Sequence, residues 1–194
     1  WAEEGIRVPP CFIVVCNNTA TSKLVFDYIA GFYLPSAADS DEPGAFIAGR
    51  LPLFRNFDDN GNLLPKPRTL LIDSEQLESG EALDDNFRGM AADEIERFRR
   101  EIVERTGDPH QAENITDQDW LREVMNTVGK AGRLGDSIRC VVSVSMLTEG
   151  WDASTVTHIL GIRAFGTQLL CEQVVGRALR RQSYDLNAEG LFDV

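Results

Sequence analysis

The chain has 194 residues, 43% of them hydrophobic and 26% charged, enough for one well-buried core of ordinary globular composition. Its net charge of −12 argues against a surface that holds nucleic acid by bulk electrostatics, so any such contact has to be local. No apolar run approaches the roughly 20 residues of a membrane-spanning helix, and no charged-then-apolar leader opens the sequence, which points away from membrane and export.

Trp1 in place of a starting Met, and the apolar end GLFDV, read as a piece cut from a longer protein, taken as one domain over residues 1–194. Cys11, Cys16, Cys140 and Cys171 lie in or beside apolar runs without a C-x-x-C pair, so neither a metal site nor a disulfide framework is indicated. Buried thiols in a reducing cytoplasm are the plain expectation.

Residues 11–16 (CFIVVC) form a short β-branched run without alternation, which suits a strand buried on both faces of a parallel sheet. Asn17, Asn18 and Thr19 then offer helix N-caps. Residues 21–32 follow with Leu24, Val25, Tyr28, Ile29 and Phe32 at helical spacing, ended by Gly31 and Pro35. Residues 36–66, rich in Asp, Pro, Gly and Asn, read as an excursion from the core. Within it, Asn60-Gly61 predicts a hairpin turn between LPLFRNF and LPKPRTLLID.

Residues 69–73 (TLLID) are a second core strand. The span 91–105 predicts an amphipathic surface helix with Ile95, Phe98, Ile102 and Val103 on one stripe. Its basic cluster, Arg97, Arg99 and Arg100, is interleaved with Glu94, Glu96, Glu101 and Glu104, which favours a solvated, salt-bridged face over a nucleic-acid contact. Asp108-Pro109 breaks the chain. Thr116 and Asp119 open a helix running to Val128, with Asp in the capping-box place of Glu or Gln. Residues 138–144 (IRCVVSV) and 156–162 (VTHILGI) are the third and fourth strands. A further helix has Thr167 as its N-cap. Strands alternating with helices predict a parallel α/β sheet with covered faces, in which ligands bind outside the carboxyl ends of the strands. The polar loops after residues 15, 144 and 162 all fall on that edge.

The chemistry concentrates between residues 143 and 181. Gln173-Val174-Val175-Gly176-Arg177-Ala178-Leu179-Arg180 gives Q-x-x-G-R-x-x-R, and the i, i+3 spacing projects Arg177 and Arg180 from one helix face. Gly176 permits close backbone approach at a cost of roughly 1 kcal/mol relative to alanine in mid-helix. Two adjacent guanidiniums repel each other unless an anion lies between them, and a phosphoryl group in transfer is such an anion. On their own, the paired arginines also suit a salt-bridged surface. The loop Thr148-Glu149-Gly150-Trp151-Asp152 sets a glycine and an acid at a strand end, where a backbone can approach a nucleotide and a carboxylate can accept from a ribose hydroxyl. A glycine turn capped by Asp152 is its simpler reading.

These stretches carry a resemblance. FIVVCNNTATSKLVFDYI resembles motif IV, SVSMLTEGWDAS motif V and QVVGRALRR motif VI of the second RecA-like domain of superfamily 2 helicases. The chain is most similar to the restriction (Res) subunit of type III restriction enzymes, whose intervening segment PRTLLIDSEQLESGEALDD resembles, so that the match spans nearly the whole chain. The resemblance implies a RecA-like, P-loop-NTPase-type parallel sheet covered by helices. It implies that Arg177 and Arg180 are arginine fingers reaching a γ-phosphate, and that Gln173 couples that site to a partner domain. Gly150 and Asp152 would lie near the nucleotide, and Ser145 and Thr148 near the nucleic-acid backbone. Asn17, Asn18 and Thr19, at the head of the first helix, would offer donors to a phosphate of the strand. Ala178-Leu179 stands where many helicases have a glycine before the last arginine, a feature of the subfamily.

No G-x-x-x-x-G-K-[ST] phosphate loop occurs in the sequence, and no acidic Walker B strand end accompanies one. ATP and Mg2+ are therefore expected to be held mainly by a preceding RecA-like domain of the same chain, and the fragment alone to be inactive. The resemblance further implies DNA as the polymer contacted, a downstream nuclease domain and a separate methyltransferase subunit that sets specificity. A superfamily 2 helicase without nuclease activity, or a non-enzymatic α/β interaction module, would look similar in this window.

Overall fold

The computed structural model describes residues 10–34, 44–72, 92–144 and 155–162, together with Gln168, Glu172, Val175, Gly176, Leu186, Ala188 and Gly190. Among the described residues four strands form one sheet: β1 (Phe12–Cys16), β4 (Thr69–Ile72), β5 (Cys140–Val144) and β6 (His158–Ile162), in the order β4-β5-β1-β6. Every neighbouring pair is parallel. The apolar runs that predict strands are thus the strands of a parallel sheet; β1, β4 and β5 are buried, whereas β6, at the end of the strand order, is largely exposed, with Leu160 52% accessible, and the arrangement is consistent with a RecA-like domain.

Helices cover the two faces. On one, Ile13, Val15, Val141 and Ile72 pack with Trp120, Leu121, Val124 and Met125 of a helix at Asp117–Asn126. On the other, Val14, Cys16, Val142 and Val144 pack with Ile29 of α1 (Thr19–Ala30) and with Phe54. The first face carries the larger cluster. Between α1 and the Asp117–Asn126 helix lie α2 (Ala92–Thr106) and a short α3 (Pro109–Glu113), so the latter helix is α4. No described helix is long and apolar enough to cross a membrane.

Several local expectations change. In α1 the buried side is Ser22, Ile29 and Ala30, with Val25 and Phe26 packed against the second core, whereas Leu24 is 72% and Tyr28 61% exposed. Phe32 belongs not to the helix but to β2 (Gly31–Tyr33), which pairs antiparallel with β3 (Phe46–Ala48). Gly31 ends α1 as predicted, at φ +91° and with its N–H donating to Asp27 O. Asp108-Pro109 starts a helix instead of merely breaking one: Asp108 accepts from His110 N at 2.9 Å, and Pro109 holds the first-turn place where its missing N–H costs nothing. Thr116 and Asp119 form the predicted capping box, but α4 stops at Asn126, short of Val128.

The excursion contains a smaller hairpin than its flanks predict. Gly61 does turn at φ +85°, and a single antiparallel bridge, Phe57 to Leu63, closes around it. The flanks do not pair with each other as strands: Pro52–Phe54 is a 3-10 turn, and β4 in the second flank pairs with β5 instead. Asp58 holds the turn, its carboxylate accepting from Asn60 N, Asn62 N and Asn62 Nδ2, and these bonds keep its pKa below the ordinary value. Buried Asn56 then fixes the excursion to β4, with Oδ1 accepting from Arg68 N and Thr69 N and Nδ2 donating to Thr69 O. Residue 35, the stretch 36–43 and Asp73 lie outside the described residues.

Candidate functional site

Parallel pairing brings the strand ends together. Cys16 is in register with Val144 on one side and Ile162 on the other, so β1, β5 and β6 finish flush. With strands about 4.8 Å apart, the chain leaves these three strands from an edge about 10 Å wide. This is the carboxyl edge, where open α/β sheets take their ligands.

At the centre of that edge β1 gives way to α1. Cys16 is buried, and burial raises its thiol pKa, so it acts as a packed strand end and not as a nucleophile. Cys11 and Cys140, also buried and free, are pushed up to about 11 and about 12 by the same desolvation. Cys171 lies outside the described residues. Asn18 is the N-cap of α1 in extended conformation, φ −159° and ψ 166°. Its Oδ1 accepts from Thr21 N at 2.8 Å, its backbone O accepts from Ser22 N at 3.0 Å, and its Nδ2 donates to Asn17 Oδ1 at 3.1 Å. Asn17, Asn18, Thr19 and Ala20 are all exposed. The Thr19 and Ala20 N–H groups have no partner among the described residues, and the first turn holds no acidic side chain. Unspent N–H groups at the positive end of a 12-residue helix form a place where an anion is favoured.

Next to it, β5 ends in Ser143-Val144. Ser143 is in register with Val15 and Ile72 and is 1% exposed, yet its Oγ has no hydrogen-bond partner among the described residues. Sequence reasoning passed over this residue. Its signal was present as the one polar side chain in the buried run CVVSV.

The other predicted site residues divide as follows. Asn17, Asn18 and Thr19 stand together at the edge. Ser145, Thr148, Gly150 and Asp152, which follow β5, lie outside the described residues, as do Gln173, Arg177 and Arg180, which follow β6. Gly176 is described: it is helical and exposed, and a Cβ there would meet open space. No described residue approaches Gly176 closely. Glu172, one turn earlier, accepts from Gln168 Nε2 at 2.6 Å.

Elsewhere, an open groove of about 290 Å³ between α2, α3 and α4 is floored by Phe98, Ile102 and Ile115 and rimmed by Arg105 and Arg122. The α2 surface is salt-bridged as expected, Arg99 to Glu96 at 2.6 Å, and Glu101 reaches Arg133 at 2.5 Å. Arg99 also lies over the Trp120 ring, 5.6 Å from its centroid. Among the described residues no three His, Cys, Asp or Glu side chains converge as metal ligands.

No protein-family model matches the chain, and no curated protein or solved structure matches it either.

Proposed function

We propose that this chain is the second RecA-like motor domain of an ATP-dependent DNA translocase of the type III restriction Res kind. It supplies Arg177 and Arg180 to ATP bound chiefly by a preceding domain, and α1 contacts a backbone phosphate of the DNA. The observation that carries this reading is the flush end of β1, β5 and β6. The segments with the motif-like residues continue from those strand ends, beside a helix N-terminus with unspent N–H groups.

The roles follow from charge and position. Asn17, Asn18 and Thr19 hold the DNA strand through hydrogen bonds to phosphate oxygens, which sets register without reading bases. Ser145 and Thr148 extend that contact. Gly150 and Asp152 adjoin the nucleotide, and Gln173 links its state to the partner domain. Arg177 and Arg180 stabilise charge on the transferring phosphoryl group, a contribution of about 10³ to 10⁵ in rate in other NTPases. ATP supplies the driving force. The lysine and the magnesium ligand it needs belong to the other domain, because this sequence has no phosphate loop. A nuclease domain beyond residue 194, a methyltransferase subunit as partner and a reducing cytoplasm complete the proposed setting, the last supported by three buried free thiols.

The decisive measurement is DNA-stimulated ATP turnover of the intact protein carrying Arg177→Ala or Arg180→Ala. Each substitution is expected to lower turnover by about 10³ or more while the fold is kept. Turnover equal to that of the unaltered protein would remove the arginine-finger roles.

A further inference from the structure

The polar side chains buried among the described residues are Ser22, Asn56, Thr69, Thr127, Ser143 and Thr155. All but one are satisfied. Ser22 Oγ donates to Thr19 O, Thr69 Oγ1 to Phe54 O, Thr127 Oγ1 to Glu123 O and Thr155 Oγ1 to Val128 O. Asn56 uses both ends of its amide. Ser143 Oγ alone has no hydrogen-bond partner among the described residues.

Its place makes the exception informative. Ser143 is the penultimate residue of β5, flanked in register by Val15 and Ile72, and it shares the α4-side face with Val141. Val141 shows that an apolar side chain suits this face. A hydroxyl there, hidden from water and unbonded, lowers the stability of the unliganded fold. Such a group is explained when another state of the molecule gives it a partner. The nearest place for that state to arise is the carboxyl edge, one residue away.

We infer that Ser143 is a positioning residue whose hydroxyl is kept for the nucleotide-bound state of the carboxyl edge. When a nucleoside triphosphate is held there, Oγ gains the hydrogen-bond partner it lacks in the unliganded chain. This inference rests on the function proposed above. A bond made only in the bound state adds its free energy to nucleotide affinity, just as its absence penalises the free state. The two effects of deleting the hydroxyl therefore have opposite signs, which an ordinary structural serine would not give.

The test uses the intact protein with a non-hydrolysable ATP analogue and magnesium. Without the analogue, Ser143→Ala is expected to melt about 2–4 °C higher than the unaltered protein. Its affinity for the analogue is expected to fall about 3- to 10-fold. Ser143→Thr, which keeps the hydroxyl, recovers the affinity. A lower melting temperature for unliganded Ser143→Ala, or an unchanged affinity, overturns the inference. If the unaltered protein binds no analogue at all, the nucleotide reading of the domain fails. If it binds and Ser143→Ala binds equally, the role of Ser143 alone fails.

Discussion

Helices α1 and α4 cover opposite faces of the same sheet, and their sequences are spent differently. In α4, Trp120, Leu121, Val124 and Met125 are all buried, and an acidic side chain takes part in the cap: Asp119 Oδ2 accepts from Thr116 N at 3.1 Å and Thr116 Oγ1 at 2.7 Å. In α1 only Ser22, Ile29 and Ala30 are buried, two large apolar side chains face outward, and the N-terminus is capped by a neutral Asn with no acid in the first turn. One helix anchors the core and carries the Asp119 carboxylate in its own first turn. The other keeps a positive end open on the edge where the strands stop, which is the end a phosphate can use.

The sharpest break between them is expected in the cores. Leu121→Ala should cost about 2–5 kcal/mol in chemical denaturation. Leu24→Ala in α1 should stay within about 0.5 kcal/mol. Equal losses would mean that the outer face of α1 is covered after all.

Both helices are also approached by a glycine near their C-terminal ends. A Cβ on Gly49 would overlap the Ile29 carbonyl, and one on Gly135 the Val124 carbonyl. Backbone oxygens cannot swing aside as side chains do, so Gly49→Ala and Gly135→Ala should each lose about 1–3 kcal/mol, read from the same denaturation curves. Here the helices should behave alike.

The N-termini separate them again. Asn18→Asp preserves a capping oxygen and adds a charge that the helix end favours, so stability should rise by about 0.3–1 kcal/mol. The same carboxylate would repel a DNA phosphate. Affinity of the intact protein for DNA should fall, and the slope of log K against log salt should lose up to about 0.9, one phosphate contact. DNA affinity that rises or holds would take α1 out of the interface.

The smallest expected effect is acid sensitivity. The hydrogen bond from Thr116, the chief cause, holds the Asp119 pKa below its ordinary 3.8. Because the folded value is depressed, this stabilisation is fully present above about pH 4 and is lost as pH falls through the folded pKa. Thr116→Val should flatten that part of the stability profile. The Asn18 cap has no titrating group, so Asn18→Ser, which keeps a neutral capping oxygen, should leave the profile unmoved.

The α4 half of this contrast was legible in the sequence, because a capping box acts locally and marks where the helix starts. The α1 half was only partly so. Leu24 and Tyr28 have helical spacing, but which side of α1 meets the sheet is decided by small Ser22 and Ala30, which let the helix settle close. That preference exists only once the sheet is there. Pro109 was read as a break because the rule for proline inside a helix also describes proline at its first turn. For the site, the polar run Asn17-Asn18-Thr19 after an apolar strand sufficed to place a helix N-terminus at the edge. Ser143 did not stand out, since an unsatisfied hydroxyl is a property of its neighbours, and none of them adjoins it in sequence except Val142 and Val144.

The flush ends of β1, β5 and β6 also bear on how force would pass through the domain. A load applied at the carboxyl edge along the strand direction pulls on ladders that run parallel to it. Their hydrogen bonds are then strained in shear and share the load, instead of opening one after another as in an unzipping hairpin. Cys16, Val144 and Ile162 would be displaced together, because each is tied to its neighbour through the ladder between them.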